Sequence, residues 1–268
     1  MLWIVIILIC FAALWMFLSM PNAPRRSLDA LALFDYAHRG LWNDELPENS
    51  MPAFRNAVEN GFGIELDVHL TADRQLVVFH DNTLTRMCGT EGRVEDMTLE
   101  ELRRCRLNGT EETIPTFAEV LAAVDGRVPL IVELKHGKHN DELCRLANEA
   151  LVRYGHTGMW CIESFHPVCV AWFRKHAPAV IRGQLAYGLR TNKTRKPLDF
   201  IVSSLLLNVL SRPDFVAYRA SDEPSLPMRW MRACRPSFAA WTVRSQSQMD
   251  ALRSTYHMQI FEGFVPKR

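Results

Sequence analysis

Along the first twenty positions the polar residues vanish. Leu2 to Met20 runs for 19 residues without a charge, LWIVIILICFAALWMFLSM. At 1.5 Å per residue a helix of that length covers roughly 28 Å, the hydrocarbon thickness of a bilayer. From Phe34 onward the pattern changes to short apolar runs, each ending on a polar residue and followed by helical periodicity. The runs predict strands at Phe34–His38, Ile64–Val68, Leu76–His80, Leu130–Leu134, Met159–Glu163, Ile181–Leu185, Phe215–Tyr218 and Phe238–Val243. A ninth run, Gln259–Val265, competes for a place. Helices are predicted over Ser50–Asn60, Thr98–Cys105, Thr116–Val124, Asn140–Tyr154, Pro167–His176 and Ser245–Thr255. Thr98-Leu99-Glu100-Glu101 has the form of a capping box, and Pro52 and Pro167 stand near first-turn positions.

Strands alternating with helices predict a parallel sheet. Eight or nine strands over this length favour a closed (β/α)8 TIM barrel, an α/β fold, over an open doubly wound sheet. No GxGxxG or GxxxxGK[ST] occurs, which weakens the nucleotide-binding alternative. The expected organisation is an apolar anchor at residues 1–22, a juxtamembrane linker at 23–33 and a barrel domain at 34–268, with an insertion after the third strand at about 82–115.

Composition narrows this further. With 31 Lys and Arg against 30 Asp and Glu in 268 residues, the net charge is +1, and nothing global favours a nucleic-acid partner. The seven cysteines are scattered and form no CxxC pair, which fits buried thiols in a reducing compartment. A cleaved signal peptide fits the N-terminus poorly: no Lys or Arg precedes the apolar run, and a small-residue cleavage pattern is missing. Arg25 and Arg26 follow the run, so a retained single-pass anchor with the barrel domain on the cytoplasmic side is expected.

The chemistry gathers at strand ends. Glu65 and Asp67, two apart on a strand, share a face, as do Glu133 and Lys135. His38-Arg39-Gly40 ends the first strand and His80-Asp81 the third. Any one of these alone reads more simply as a rim ion pair or a structural histidine. Together, on otherwise apolar strands, they need a compensating partner, because buried charge is costly. Three carboxylates, Glu65, Asp67 and Glu133, beside Lys135 suit one hard divalent cation and an anionic substrate on the catalytic face of a barrel. His69 has the parity of Glu65 and Asp67, but its place further out predicts a rim residue.

These segments, with Pro47-Glu48-Asn49-Ser50, Ala53-Phe54, Thr71-Ala72-Asp73, Val77-Val78-Phe79-His80-Asp81, Leu84, Arg86, Ile114-Pro115-Thr116, Ser164-Phe165 and Trp241-Thr242-Val243, follow a family order over about 37–244. The chain resembles the glycerophosphodiester phosphodiesterases, which are phospholipase C-like (β/α)8 barrels. The resemblance implies that His38 and His80 act as general acid and base. It implies that Arg39 and Lys135 bind the phosphate, and that Phe165 and Trp241 line the substrate site. It also implies that Glu65, Asp67 and Glu133 hold a divalent cation, calcium or magnesium. The implied partner is a glycerophosphodiester or a lysophospholipid substrate at a membrane lipid surface. Lysophospholipase D, hydrolysis of a glycerolphosphate polymer and a catalytically dead lipid-binding barrel are the alternatives. Three departures stand out: Asp73-Arg74 where the family has Asp-Gly, Arg244 where Asn is common, and a degenerate ending, Ile260-Phe261-Glu262-Gly263-Phe264-Val265-Pro266. Five basic residues in Arg190–Lys196, followed by the apolar Ile201–Leu210, suggest a lipid-facing loop and helix, against a plain solvated loop.

Overall fold

The computed structural model describes residues 2–21, 28–188, 203–222, 228–229, 231–232 and 237–267. Helix α1 (Leu2–Ser19) is exposed along nearly its whole length, and it is long and apolar enough to cross a membrane. Its last turn is fastened to the rest of the chain. The Phe17 and Met20 carbonyls accept from Arg212, and the Ser19 carbonyl accepts from Asn208 Nδ2 at 2.8 Å. Carbonyls left over at a helix C-terminus thereby find donors.

The short helix α2 (Asp29–Ala32) lies at the bottom of the barrel, where Leu28 and Leu31 join its internal apolar cluster. Tyr36 on β1 (Asp35–His38) donates its hydroxyl to the Leu31 carbonyl at 2.8 Å. Then follow α3 (Met51–Glu59), β2 (Gly63–Leu70) and β3 (Leu76–Val78). The inserted segment carries α4 (Thr85–Cys88) and α5 (Leu99–Leu102). After it come α6 (Phe117–Val124), β4 (Leu130–Leu134), α7 (Asn140–Tyr154), β5 (Trp160–Ser164), α8 (Pro167–His176) and β6 (Arg182–Ala186). The described chain ends with α9 (Asn208–Ser211), β7 (Phe215–Arg219), β8 (Ser237–Val243), α10 (Gln246–Leu252) and β9 (Met258–Phe261).

Eight parallel strands close a ring in the order β1-β9-β8-β7-β6-β5-β4-β2, with β2 pairing back to β1. The expected barrel is therefore present, with one correction to its strands. Leu76–Val78 is not a barrel strand: β3 pairs antiparallel with the outer end of β2, Val68 opposite Val78 and Leu70 opposite Leu76. The ninth run takes the vacant place, since Met258–Phe261 joins β8 to β1. The connection from Leu70 to Leu76 is too short for a parallel crossover, which needs a dozen or more residues.

Strand parity sorts the side chains. On β2, β4 and β5, Ile64, Leu66, Val68, Val132, Leu134 and Ile162 face the helices in the outer apolar layer. Ile131 and Cys161 point into the barrel with Tyr36, Leu185, Phe215 and Met258. One step up the same inner face stand Glu65, Asp67, Glu133 and Glu163, with Asp67 opposite Glu133 and Glu133 opposite Glu163. The inserted segment has an apolar cluster of its own, including Phe79, Leu84, Val94, Leu102 and Ile114. The capping box forms as expected, the Thr98 hydroxyl accepting from the Glu101 amide and the Glu101 carboxylate from the Thr98 amide. Arg190–Lys196 lies outside the described residues. Of the apolar stretch after it, Leu205 is buried, Asn208 binds the end of α1 and Leu210 is exposed.

Candidate active site

At the C-terminal ends of the barrel strands a cavity of about 540 Å³ is lined by His38, Arg39, Glu65, His80, Glu133 and Trp241, among others. Carboxylate oxygens of Glu65, Asp67 and Glu133 all lie within 4.8 Å of one another, and all three residues are buried. Lys135 Nζ sits 2.8 Å from both Asp67 Oδ1 and Glu133 Oε1. Burial alone would raise the Asp67 carboxyl, but Lys135, His80 and Arg39 hold it well below the usual range. Glu65 is pushed well above that range by burial and by the charges of Asp67 and Glu133. Burial raises Glu133 as well, although Lys135 opposes the shift.

Two features test whether a cation fits. Four acids crowd one desolvated layer, and Lys135 and Arg39 are two cations against four carboxyl groups. Glu163, also buried, leaves its Oε2 without a hydrogen-bond partner. A hard divalent ion suits such a set of oxygen donors, and Glu65, Asp67 and Glu133 are the residues that could hold it.

Arg39 is held from below. Arg39 follows β1 in the left-handed region (φ 59°), and its amide donates to Glu65 Oε2 at 3.1 Å. Gly40 follows at φ +84°, where a Cβ would stand 3.0 Å from the Ala53 carbonyl carbon, so only glycine closes this turn without strain. The Arg39 guanidinium meets Glu48 Oε1 at 2.8 Å and Asp67 Oδ2 at 3.6 Å. Asn49 Nδ2 donates to that same Asp67 oxygen at 2.8 Å.

Each of the two histidines has a carboxylate at its Nδ1. His38 pairs with Glu262, and its Nε2 remains 3.9 Å from Glu65 Oε2. His80 pairs with Asp81 Oδ1 at 2.6 Å. Burial lowers both imidazoles, while the hydrogen bond to Glu262 acts in the opposite direction on His38, as the charge of Asp67 and the hydrogen bond to Asp81 do on His80. A carboxylate at Nδ1 fixes the tautomer and the orientation of the ring. Arg86 ties the second pair to the rest, with Nε 2.6 Å from Asp81 Oδ2 and Nη2 2.6 Å from Glu48 Oε1.

The geometry brings all nine expected residues to one end of the barrel. Phe165 and Trp241 meet edge to face at 5.4 Å between ring centroids. His69 is a correction: it is not a rim residue but is buried, with its Nε2 3.3 Å from the His80 carbonyl, where it supports the hairpin. Glu163 and Glu262 were not anticipated. Glu163 carried a legible signal, since it ends a predicted strand and Glu133 stands one residue before the end of another. Glu262 lies in the segment where the family ending is lost, and no motif marked it.

Comparison with known proteins gives a consistent picture. The sequence profile of the Glycerophosphoryl diester phosphodiesterase family matches residues 38–259. A glycerophosphodiester phosphodiesterase of Bacillus altitudinis is 36% identical over 155 residues, which is 54% of this chain and 63% of that protein. A human lysophospholipase D is 33% identical over 139 residues, covering 46% of this chain and 43% of its own length. The chain thus spans under two thirds of the length of the curated relatives it matches. Among solved structures, an Oleispira antarctica phosphodiesterase in complex with the product sn-glycerol-3-phosphate superposes with a TM-score of 0.73 at 20% identity. That likeness covers 88% of this chain and 95% of the other. A glycerophosphodiester phosphodiesterase from Parabacteroides distasonis gives 0.68 at 25% identity, covering 85% and 92%.

Proposed function

The chain belongs to the glycerophosphoryl diester phosphodiesterase family, and we propose that it hydrolyses glycerophosphodiesters to sn-glycerol 3-phosphate and an alcohol with the help of a divalent cation. The observation that carries this reading is the pair of histidine–carboxylate dyads, His38–Glu262 and His80–Asp81, opening on one cavity with the acidic cluster.

Calcium or magnesium, held by Glu65, Asp67 and Glu133, would supply a positive charge against the phosphoryl oxygens. The residues of the chain do the rest. Arg39 and Lys135 oppose the charge that builds as the phosphorus gains a fifth oxygen. One imidazole Nε2 takes the proton of the attacking oxygen, whether water or the glycerol 2-hydroxyl. The other gives a proton to the departing alkoxide as the ester P–O bond breaks. Phe165 and Trp241 supply an apolar wall for the carbon skeleton.

In this reading α1 is a membrane anchor, with Arg25 and Arg26 keeping the barrel on the cytoplasmic side. The anchor and the likeness to a lysophospholipase D support a second substrate class, lysophospholipids cleaved by the same chemistry. The full chain in detergent, given glycerophosphocholine, glycerophosphoglycerol and lysophosphatidylcholine with calcium, magnesium or EDTA, tests both. Glycerol 3-phosphate released only with a cation supports the proposal. His38→Ala and His80→Ala should each lower that rate by about 10²-fold or more with folding intact. Near-normal rates in both would refute the assignment, and choline release from the lyso-lipid alone would favour the second class.

A further inference from the structure

Three of the cations around the cavity are already committed to carboxylates. Arg39 pairs with Glu48 and Asp67, Lys135 with Asp67 and Glu133, and Arg244 with Glu262. Arg219, at the end of β7, also lines the cavity, and no ion pair or hydrogen bond joins its guanidinium to any described residue. It lies between two aromatic rings instead, 5.2 Å from the centroid of Tyr187 and 4.9 Å from that of Trp241. The rings are themselves held in place. Trp241 Nε1 donates to the Ala217 carbonyl at 3.1 Å, and Phe165 packs on Trp241 at 5.4 Å and on Tyr187 at 5.9 Å.

A guanidinium has five N–H donors, and ring faces satisfy its charge only in part. Stacked in this way it keeps its planar edge for a bidentate acceptor, the arrangement that suits carboxylate and phosphate. The same placement acts against a quaternary ammonium headgroup. Such a group is recognised by open aromatic faces, and here Tyr187 and Trp241 already carry a cation of the protein. A second positive charge beside it would be repelled.

We infer that Arg219 forms a second anion subsite next to the scissile phosphodiester. The preferred substrate then bears a further phosphate or carboxylate on its headgroup, and choline esters are poor substrates. The inference rests on the proposed phosphodiesterase activity and names the class of headgroup for it. A substrate of this class is supplied by reactions that build or trim chains of glycerol phosphate, or that strip the acyl chains from acidic phospholipids.

The test uses the full chain in detergent with four glycerophosphodiesters that differ only in headgroup: glycerol, glycerate, glycerol phosphate and choline. Arg219 should make kcat/KM for the glycerate or glycerol phosphate ester about 10-fold or more higher than for the choline ester. Arg219→Gln should cut that ratio by about 10-fold or more, and Arg219→Lys should retain part of it. The better of the two anionic headgroups tells carboxylate from phosphate. An equal effect of Arg219→Gln on all four esters, or a wild-type preference for choline, overturns the inference. Hydrolysis of none of them overturns the phosphodiesterase reading instead. In that case calorimetric binding of the glycerol phosphate ester decides: about 10-fold weaker binding to Arg219→Gln upholds the subsite, and equal binding refutes it.

Discussion

Glu262 offers the sharpest test of how the site holds its histidines. Its two oxygens have different partners: Oε2 accepts the hydrogen bond from His38 Nδ1, while Oε1 forms an ion pair with Arg244 Nη2 at 2.5 Å. In Glu262→Gln only one of those positions keeps an oxygen. Arg244 can only donate, so it claims the amide oxygen and turns the NH2 toward His38. Nδ1 must then accept, the proton moves to Nε2, and the imidazole faces the substrate in the wrong tautomer. Losing an orienting partner costs about 10-fold to 100-fold, and a wrong tautomer in a histidine–carboxylate pair up to about 10⁴-fold. The substitution is nearly isosteric, and His38 and Glu262 are 13% and 11% exposed, so packing changes little. We expect kcat/KM to fall by about 10²-fold to 10⁴-fold with the melting temperature almost unchanged. Arg244 is 70% exposed and its own pair contributes little to stability. Adding Arg244→Ala frees the glutamine to turn its oxygen back to Nδ1, so the double variant should recover at least about 10-fold over Glu262→Gln. Release of glycerol 3-phosphate measures both. A single variant within about threefold of wild type, or a double variant slower than the single one, would refute the tautomer argument.

Three other outcomes follow from the same geometry. EDTA should lower the melting temperature by about 5–10 °C relative to protein holding cation at 100-fold over Kd, and identical melting curves would count against an ion among the buried acids. Arg86→Met should destabilise the protein at neutral pH and progressively less in acid. Burial would raise Asp81, yet the Arg86 and His80 hydrogen bonds bring it down to about 2 from 3.8. Its charged form therefore stabilises the fold above about pH 4, and that contribution is lost as the pH falls toward 2. Urea titrations of both proteins at pH 7 and pH 3 check the sign, and a gap that widens in acid would contradict it. Thr98→Ala removes the cap of α5 and should cost about 1 kcal/mol by the same titration, with no effect predicted if the capping box is ornamental.

Much of this was legible in the chain because strand parity is local. Glu65 and Asp67, two apart among Ile64, Leu66 and Val68, already place two acids on one face and three aliphatics on the other, and the barrel uses both faces in that way. The same logic extends to Glu133 and Lys135, and it reaches Glu163 as well. Pairing direction is not local. Leu76–Val78 and Met258–Phe261 are apolar runs alike, and only the span between Leu70 and Leu76 separates a hairpin arm from a barrel strand. His69 shows the same limit: an outward position on β2 is covered once the hairpin folds back over it. Glu262 and Arg219 depend on long-range assembly, since their partners His38, Tyr187 and Trp241 come from other strands and loops.

The separate apolar cluster of the insertion divides the labour of the site between two cooperative units. Glu65, Asp67, Glu133 and Glu163 belong to strands of the closed ring. His80 instead follows Phe79, whose ring is buried with Leu84, Val94 and Leu102 in the insertion. Local opening of that unit would carry off one imidazole and leave the acidic layer assembled. Mild denaturant should therefore populate a form that still holds its cation but turns over nothing, with amide exchange accelerated over the insertion and slow in the barrel strands. Segments of the insertion can on this view drift in sequence without disturbing the acidic layer below.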